Sequence, residues 1–303
     1  MSKKLIRFDW AIRRLLRNKA NFVILEGFLS ELLFEDIKIH KVLESEGNQE
    51  DAYDKFNRVD LLVENSQGEL LIIEVQNNDE LDYFHRILYG TSKLITEYLD
   101  LGEAYEQLKK VISVNIVYFD LGQGEDYLYR GQTSFLGMHT HDLLHLSTKQ
   151  QEYFKKESIE SIFPEYYLIK ANNFDDVAKD TLDEWIYFFK NSEVKDEFKA
   201  KGIQKAKETL DTMKLSKEEQ KNYKRYLENL SYQKSMMNTA KFEGELAAKE
   251  VEEEIRESER KNTQIQIAKN GLEKGYPLEM IADMTGLNLE EIEKIQQEIK
   301  IKK

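Results

Sequence analysis

Apolar and polar positions recur along the chain with periods that change from segment to segment, and the changes mark its elements. Phe8, Ile12, Leu15 and Leu16 share one face of a helix expected over 7–18. A second helix is predicted at 21–34, "NFVILEGFLSELLF", and "IKIHKVL" (37–43) has strand character. Residues 44–57 are polar without periodicity and read as a loop. Two apolar runs separated by "SQG" predict a hairpin over 58–76, "RVDLLVENSQGELLIIEVQ". Residues 79–101 have the pattern of a long amphipathic helix, interrupted only by Gly90. "VISVNIVYF" (111–119) is the most continuous β-run, as expected of a buried strand. Residues 122–140 read as a turn, with "GQG" at its start, and another strand or hairpin.

This order, αα-β-ββ-α-β-β, predicts an α/β (α+β) domain with a mixed sheet flanked by helices. From 147 to 262 the texture becomes helical, polar and charged, with "EYYLIK" (165–170) as a candidate short strand. Residues 266–297 read as three short helices broken at "KGYP" and "TGLN". The expected organisation is a first domain at 1–146, an all-helical C-terminal extension at 147–262, and a small helical segment at 263–303.

Composition narrows the function classes. Cysteine is absent, which excludes disulfides, a thiol nucleophile and a Cys-based zinc site. The basic N-terminus lacks an apolar core and a small-residue cleavage site, so no signal peptide is expected. No run approaches the ~18 apolar residues of a membrane span. Together these predict a cytoplasmic protein that does not partner a membrane. Net charge is −13, which taken alone argues against nucleic acid. The charge is segregated, however: residues 3–19 carry Lys3, Lys4, Arg7, Arg13, Arg14, Arg17 and Lys19 against Asp9 alone, while "KEVEEEIRESE" (249–259) is acidic. Arg7, Arg14 and Arg17 lie at roughly helical spacing, either as a solvated face or as a grip on DNA phosphates.

The hairpin carries the sharpest chemical signal. A three-residue loop at 66–68 suits a type I turn closed by a left-handed glycine, and it fixes the register. Glu64 then faces Leu70, Leu62 faces Ile72, and Asp60 faces Glu74, with Cβ atoms ~5 Å apart. Gln76 lies on that same face. Two opposed carboxylates repel, and one would be forced to keep its proton, unless a divalent cation sits between them. The other reading is polar alternation on an exposed sheet face.

The pattern D…(E/D)-x-(K/Q) across a hairpin resembles the PD-(D/E)XK nuclease superfamily, and most closely its recombination-promoting nuclease and transposase family. "FDWAIRRLL", from Asp9, resembles that family's opening helix, and Arg86 with Tyr89 in "DYFHRILYGTSKLI" resembles the helix after its E-x-Q strand. The resemblance covers roughly residues 5–145 and implies a restriction-endonuclease-like fold. It implies a DNA endonuclease in which Asp60, Glu74 and the carbonyl of Val75 bind Mg²⁺, or Mn²⁺ in its place, and Gln76 orients water or steadies phosphate. Gln76 fits the family while departing from the superfamily's lysine, so it leans more on the metal. Asp9 is either an outer catalytic carboxylate or an acid favoured by a helix N-terminus. Arg86 pairs with a site carboxylate or with phosphate; Tyr89 reads as packing. Nucleases of this kind often act as homodimers. The alternatives are a catalytically weak binding module that keeps the nuclease fold, and a helical interaction protein with a vestigial first domain.

Other signals are weaker. His139, His141 and His145 lack an obvious fourth ligand for zinc. "EMIADMTGLNLEEIEKI" resembles a helix-turn-helix, but Glu290, Glu291 and Glu293 at the start of its second helix would repel phosphates, which favours a protein-interaction or folding role. The polar helix around 240–262 is a candidate for self-association, against which stands its poor heptad pattern.

Overall fold

A computed structural model describes residues 5–14, 16–43, 60–99 and 104–301. The loop expected at 44–57 lies outside the described residues. Six strands form one mixed sheet: β1 (Ile39–Leu43), β2 (Leu61–Asn65), β3 (Leu70–Gln76), β4 (Val111–Val117), β5 (Leu128–Gly131) and β6 (Glu165–Lys170), in the order β1-β2-β3-β4-β6-β5. β1, β2 and β3 pair antiparallel. β3, β4 and β6 pair parallel, and β5 closes the edge antiparallel to β6. The helix α3 (Tyr83–Glu97) is the crossover that a parallel β3–β4 pair requires.

The β2–β3 register is the one expected from the turn. Gly68 takes φ +79°, its amide donates to Asn65 O at 3.0 Å, and Asn65 N donates to Glu69 O at 3.0 Å. Glu64 pairs with Leu70, Leu62 with Ile72 and Leu61 with Ile73. Alternation puts Leu70 and Ile72 on the face covered by α3, where they join Leu62, Leu94 and Val111. Tyr83 and Ile87, nearer the start of α3, pack on Val117, Phe119 and Leu121. Glu74 continues the row of Leu70 and Ile72 and therefore points toward α3.

The helices α1 (Phe8–Arg14), α2 (Phe22–Leu33) and α5 (Thr181–Asn191) share an aromatic core. Phe8 and Phe28 lie 4.4 Å and 4.8 Å from Phe189, ring centre to ring centre, and Trp185 and Phe188 complete the cluster. At Gly27 of α2 an added Cβ would fall 2.1 Å from the carbonyl oxygen of Lys201. Only glycine admits the start of α6 (Ile203–Thr209) this closely. A short helix α4 (Thr148–Phe154) precedes β6.

Two expectations change. The helix predicted over 7–18 ends at Arg14. The boundary expected near 146 falls within the sheet, because "EYYLIK" is β6 and pairs with both β4 and β5. The chain divides instead into compact units at Met1–Tyr223 and Lys224–Lys303. In the second unit the end of α7 (Lys217–Glu273) packs with α8 (Leu278–Thr285) and α9 (Leu289–Ile301) through Ala268, Ile281, Leu287, Ile292 and Ile295. Glu291 serves α9 as part of a reciprocal cap: its amide donates to Asn288 Oδ1 at 2.9 Å, and its carboxylate accepts from Asn288 N at 3.0 Å.

Candidate active site

Asp60 stands one residue before β2, at the end of the sheet where β3 finishes with Glu74, Val75 and Gln76. The register carried one step beyond Leu61–Ile73 sets Asp60 opposite Glu74. Each oxygen of Asp60 is held: Val75 N donates to Oδ2 at 2.8 Å, and Arg13 Nε donates to Oδ1 at 2.7 Å. Arg17 donates to the Asp60 carbonyl at 2.8 Å. A strand residue turns its N–H and C=O to the same side, so the Val75 carbonyl faces the Asp60 edge as its amide does.

Glu74 is 6% exposed, and its Oε2 has no hydrogen-bond donor. Arg86 of α3 approaches that oxygen only to 3.8 Å. Burial pushes the Glu74 carboxyl up to about 7; Arg86 opposes the rise, while Asp60 and Glu80 add to it. Arg86 is better engaged by Glu80, whose Oε2 accepts from Arg86 Nη1 at 2.9 Å and from Gln76 Nε2 at 3.1 Å. Asn115 of β4, the register partner of Glu74, accepts from the Tyr83 hydroxyl at 3.3 Å. A polar layer thus runs beneath the start of α3, where the strand face is otherwise apolar.

Asp9 is buried in the first turn of α1 and serves a different part of the strand end. It accepts from Asn77 Nδ2 at 2.7 Å, from Arg7 Nη2 at 3.0 Å and from Trp10 N at 2.8 Å. Arg7 also donates to Asn77 Oδ1 at 2.8 Å and lies over the Tyr118 ring at 5.1 Å. This triangle ties α1 to the residue after Gln76.

The arginines do not form the single helical stripe expected of them. Arg7 precedes α1 and is spent on Asp9 and Asn77, Arg14 is exposed at the end of the helix, and Arg17 lies beyond it against Asp60. Arg13, Glu80 and Asn77 were not singled out from sequence. Glu80, four residues past Gln76 and six before Arg86, had a usable signal in its spacing; Arg13 had only its membership of the basic stretch. Tyr89 is half exposed on α3 and is not a core residue.

Among the described residues no three His, Cys, Asp or Glu side chains converge to hold a metal. The candidate set is two carboxylates and one peptide carbonyl. It nonetheless fits a hard divalent cation: the donors are all oxygen, and the buried, undonated Glu74 Oε2 is an acceptor that only a cation or a donor satisfies.

No curated protein and no solved structure matches the chain. Residues 6–240 match a family described as PD-(D/E)XK nuclease family transposase. That span reaches past 145 to include β6, in keeping with one sheet that runs through it. The six-stranded mixed sheet flanked by helices is the α/β fold of such nucleases, and the chain belongs to the PD-(D/E)XK nuclease family of transposases.

Proposed function

We infer that the chain is a Mg²⁺-dependent DNA endonuclease, with Mn²⁺ able to replace Mg²⁺, that hydrolyses phosphodiester bonds as part of a recombination or transposition process. The observation that carries this reading is the juxtaposition of Asp60 with Glu74, whose buried Oε2 lacks a donor. Asp60, Glu74 and the Val75 carbonyl would hold the cation. Such an ion, when bound, lowers the pKa of a coordinated water and offsets charge on phosphorus.

The chain's own groups have distinct tasks. The Val75 amide orients the Asp60 carboxylate, and Arg13 occupies its other oxygen while no cation is bound. The Gln76 amide nitrogen is anchored on Glu80, which leaves its carbonyl oxygen to accept from a water molecule and orient it. Glutamine cannot take up a proton at neutral pH, so Gln76 is a positioning group. Arg17, which donates to the Asp60 carbonyl, and Arg14, exposed at the end of α1, supply positive charge for the phosphate backbone.

The test compares wild type, Asp60→Ala and Glu74→Ala on supercoiled plasmid with Mg²⁺ or Mn²⁺. Nicking by wild type that both variants lack supports the reading, and equal nicking by all three overturns it. One structural feature favours a second reading, a binding module that retains the fold: both Asp60 oxygens already have donors. Metal-dependent DNA retention by a wild type that does not nick would select it.

A further inference from the structure

Every residue of α7 from 231 to 263 is exposed. At 1.5 Å per residue this is about 50 Å of helix with no tertiary cover. Helices in proteins owe most of their stability to packing of an apolar face, and a helix of this length without one is unusual. The helix does carry a face. Leu230, Met237, Gly244 and Val251 recur every seven residues, and Leu227, Ala248 and Ile255 fall in the companion positions. Lys234 and Lys241 take the remaining companion places. The register escapes a window of 240–262 because its larger residues stand at the two ends. Gly244 has open space where a side chain would be, and glycine is less favourable than alanine within a helix.

The charges flanking this face are divided. The stretch "KRYLENLSYQKSMMNTAK" (224–241) sets Lys224, Arg225, Lys234 and Lys241 against Glu228 alone. The stretch "EGELAAKEVEEEIRESE" (243–259) is dominated by glutamate, opposed only by Lys249 and Arg256. Two such helices side by side in the same direction would align glutamates with glutamates. In opposite directions each basic half meets an acidic half.

We propose that two copies of this chain associate through an antiparallel coiled coil of their α7 helices, with the two-fold axis between Phe242 and Glu243. Leu230 then packs on the partner's Ile255, and Met237 on the partner's Ala248. Lys224 faces the partner's Glu259 beside the apolar seam, and Lys234 and Lys241 lie beside the partner's Glu252 and Glu245. The contact is isologous, so it closes as a dimer. It rests on the exposed helix and its charges, independently of the nuclease reading.

The chain has no cysteine, so pairing direction can be read by crosslinking the full-length protein. Leu230→Cys and Ile255→Cys chains are mixed under mild oxidation. The mixed 230–255 disulfide is expected in excess over either self-pair. Predominant 230–230 and 255–255 disulfides, the parallel outcome, would overturn the proposal. So would a single-chain mass for the wild type by light scattering at micromolar concentration. Lys234→Glu with Lys241→Glu is expected to weaken the dimer roughly tenfold or more, and adding Glu245→Lys with Glu252→Lys to restore it. Reversal without rescue would count against charge pairing in this direction.

Discussion

The backbone amide of Val75 donates to the carboxylate of Asp60 at 2.8 Å, across the open end of the β2–β3 hairpin. One side chain therefore both closes the ladder beyond its last pair and presents a carboxylate beside Glu74. Structure and candidate chemistry can be separated by substitution. Asp60→Asn keeps an acceptor for Val75 and should cost little stability, whereas Asp60→Ala leaves the amide without a partner and should cost roughly 1–2 kcal/mol. Both should abolish nicking. Thermal melts run beside plasmid assays check this, and an active Asp60→Asn would refute the assignment of Asp60 to the metal.

Glu74 is expected to be a stability liability in metal-free protein. Its carboxylate is buried, lacks a donor and faces Asp60 and Glu80. Glu74→Gln should raise stability in EDTA at neutral pH by roughly 1–3 kcal/mol. It should also remove any further stabilisation by Mn²⁺. Urea unfolding with and without Mn²⁺ measures both, and a destabilised Glu74→Gln would show that Arg86 already satisfies the charge.

Arg13 holds Asp60 Oδ1 and is itself half exposed. A guanidinium in that place competes with a cation for the same oxygen. Arg13→Ala should therefore tighten Mn²⁺ binding by about 3–10-fold, on the scale of an exposed ion pair. Isothermal titration calorimetry reads this directly; weaker binding would mean that Arg13 orients Asp60 for the metal.

Glu165 sits at the start of β6, bonded to Lys110 at 2.8 Å, to the Tyr167 hydroxyl at 2.7 Å and to Arg130 at 2.5 Å. Burial pushes its carboxyl up, but these donors outweigh burial and hold it below the usual range. A depressed pKa gives stability that is present above the ordinary glutamate value of ~4.3 and is lost as pH falls through the folded value. Glu165→Gln should thus cost about 2–4 kcal/mol at pH 7, and the gap to wild type should close in strong acid. Urea midpoints from pH 7 downward test it; a gap independent of pH would contradict the ion-pair account.

Gly27 and Gly202 let α2 and the start of α6 touch through backbone atoms alone. Gly202 takes φ +78°, and a Cβ on it would lie 2.6 Å from Val23 O. Gly27→Ala should destabilise by about 2–4 kcal/mol, because the obstructing atoms are backbone and cannot turn aside. A melting temperature within a degree of wild type would show that the helices separate freely.

Sequence by itself determined the local relationships. "SQG" set the hairpin register because a three-residue turn with glycine in last place admits one pairing, and from it followed the opposition of Asp60 and Glu74. The unbroken apolar run of β4 announced a strand covered on both sides. The tertiary structure decided what local pattern cannot encode. β6 was legible as a strand, but its place beside β4, which brings residues beyond 146 into the sheet, depends on a crossover whose closure no short window specifies. Arg13, Glu80 and Asn77 reach the strand ends only after helix and sheet are packed, so their roles follow from three-dimensional distance. Arg7 looked free for phosphate because its partner Asn77 lies seventy residues away along the chain. Burial of Glu74 beneath α3, which leaves one of its oxygens without a donor, likewise comes from packing.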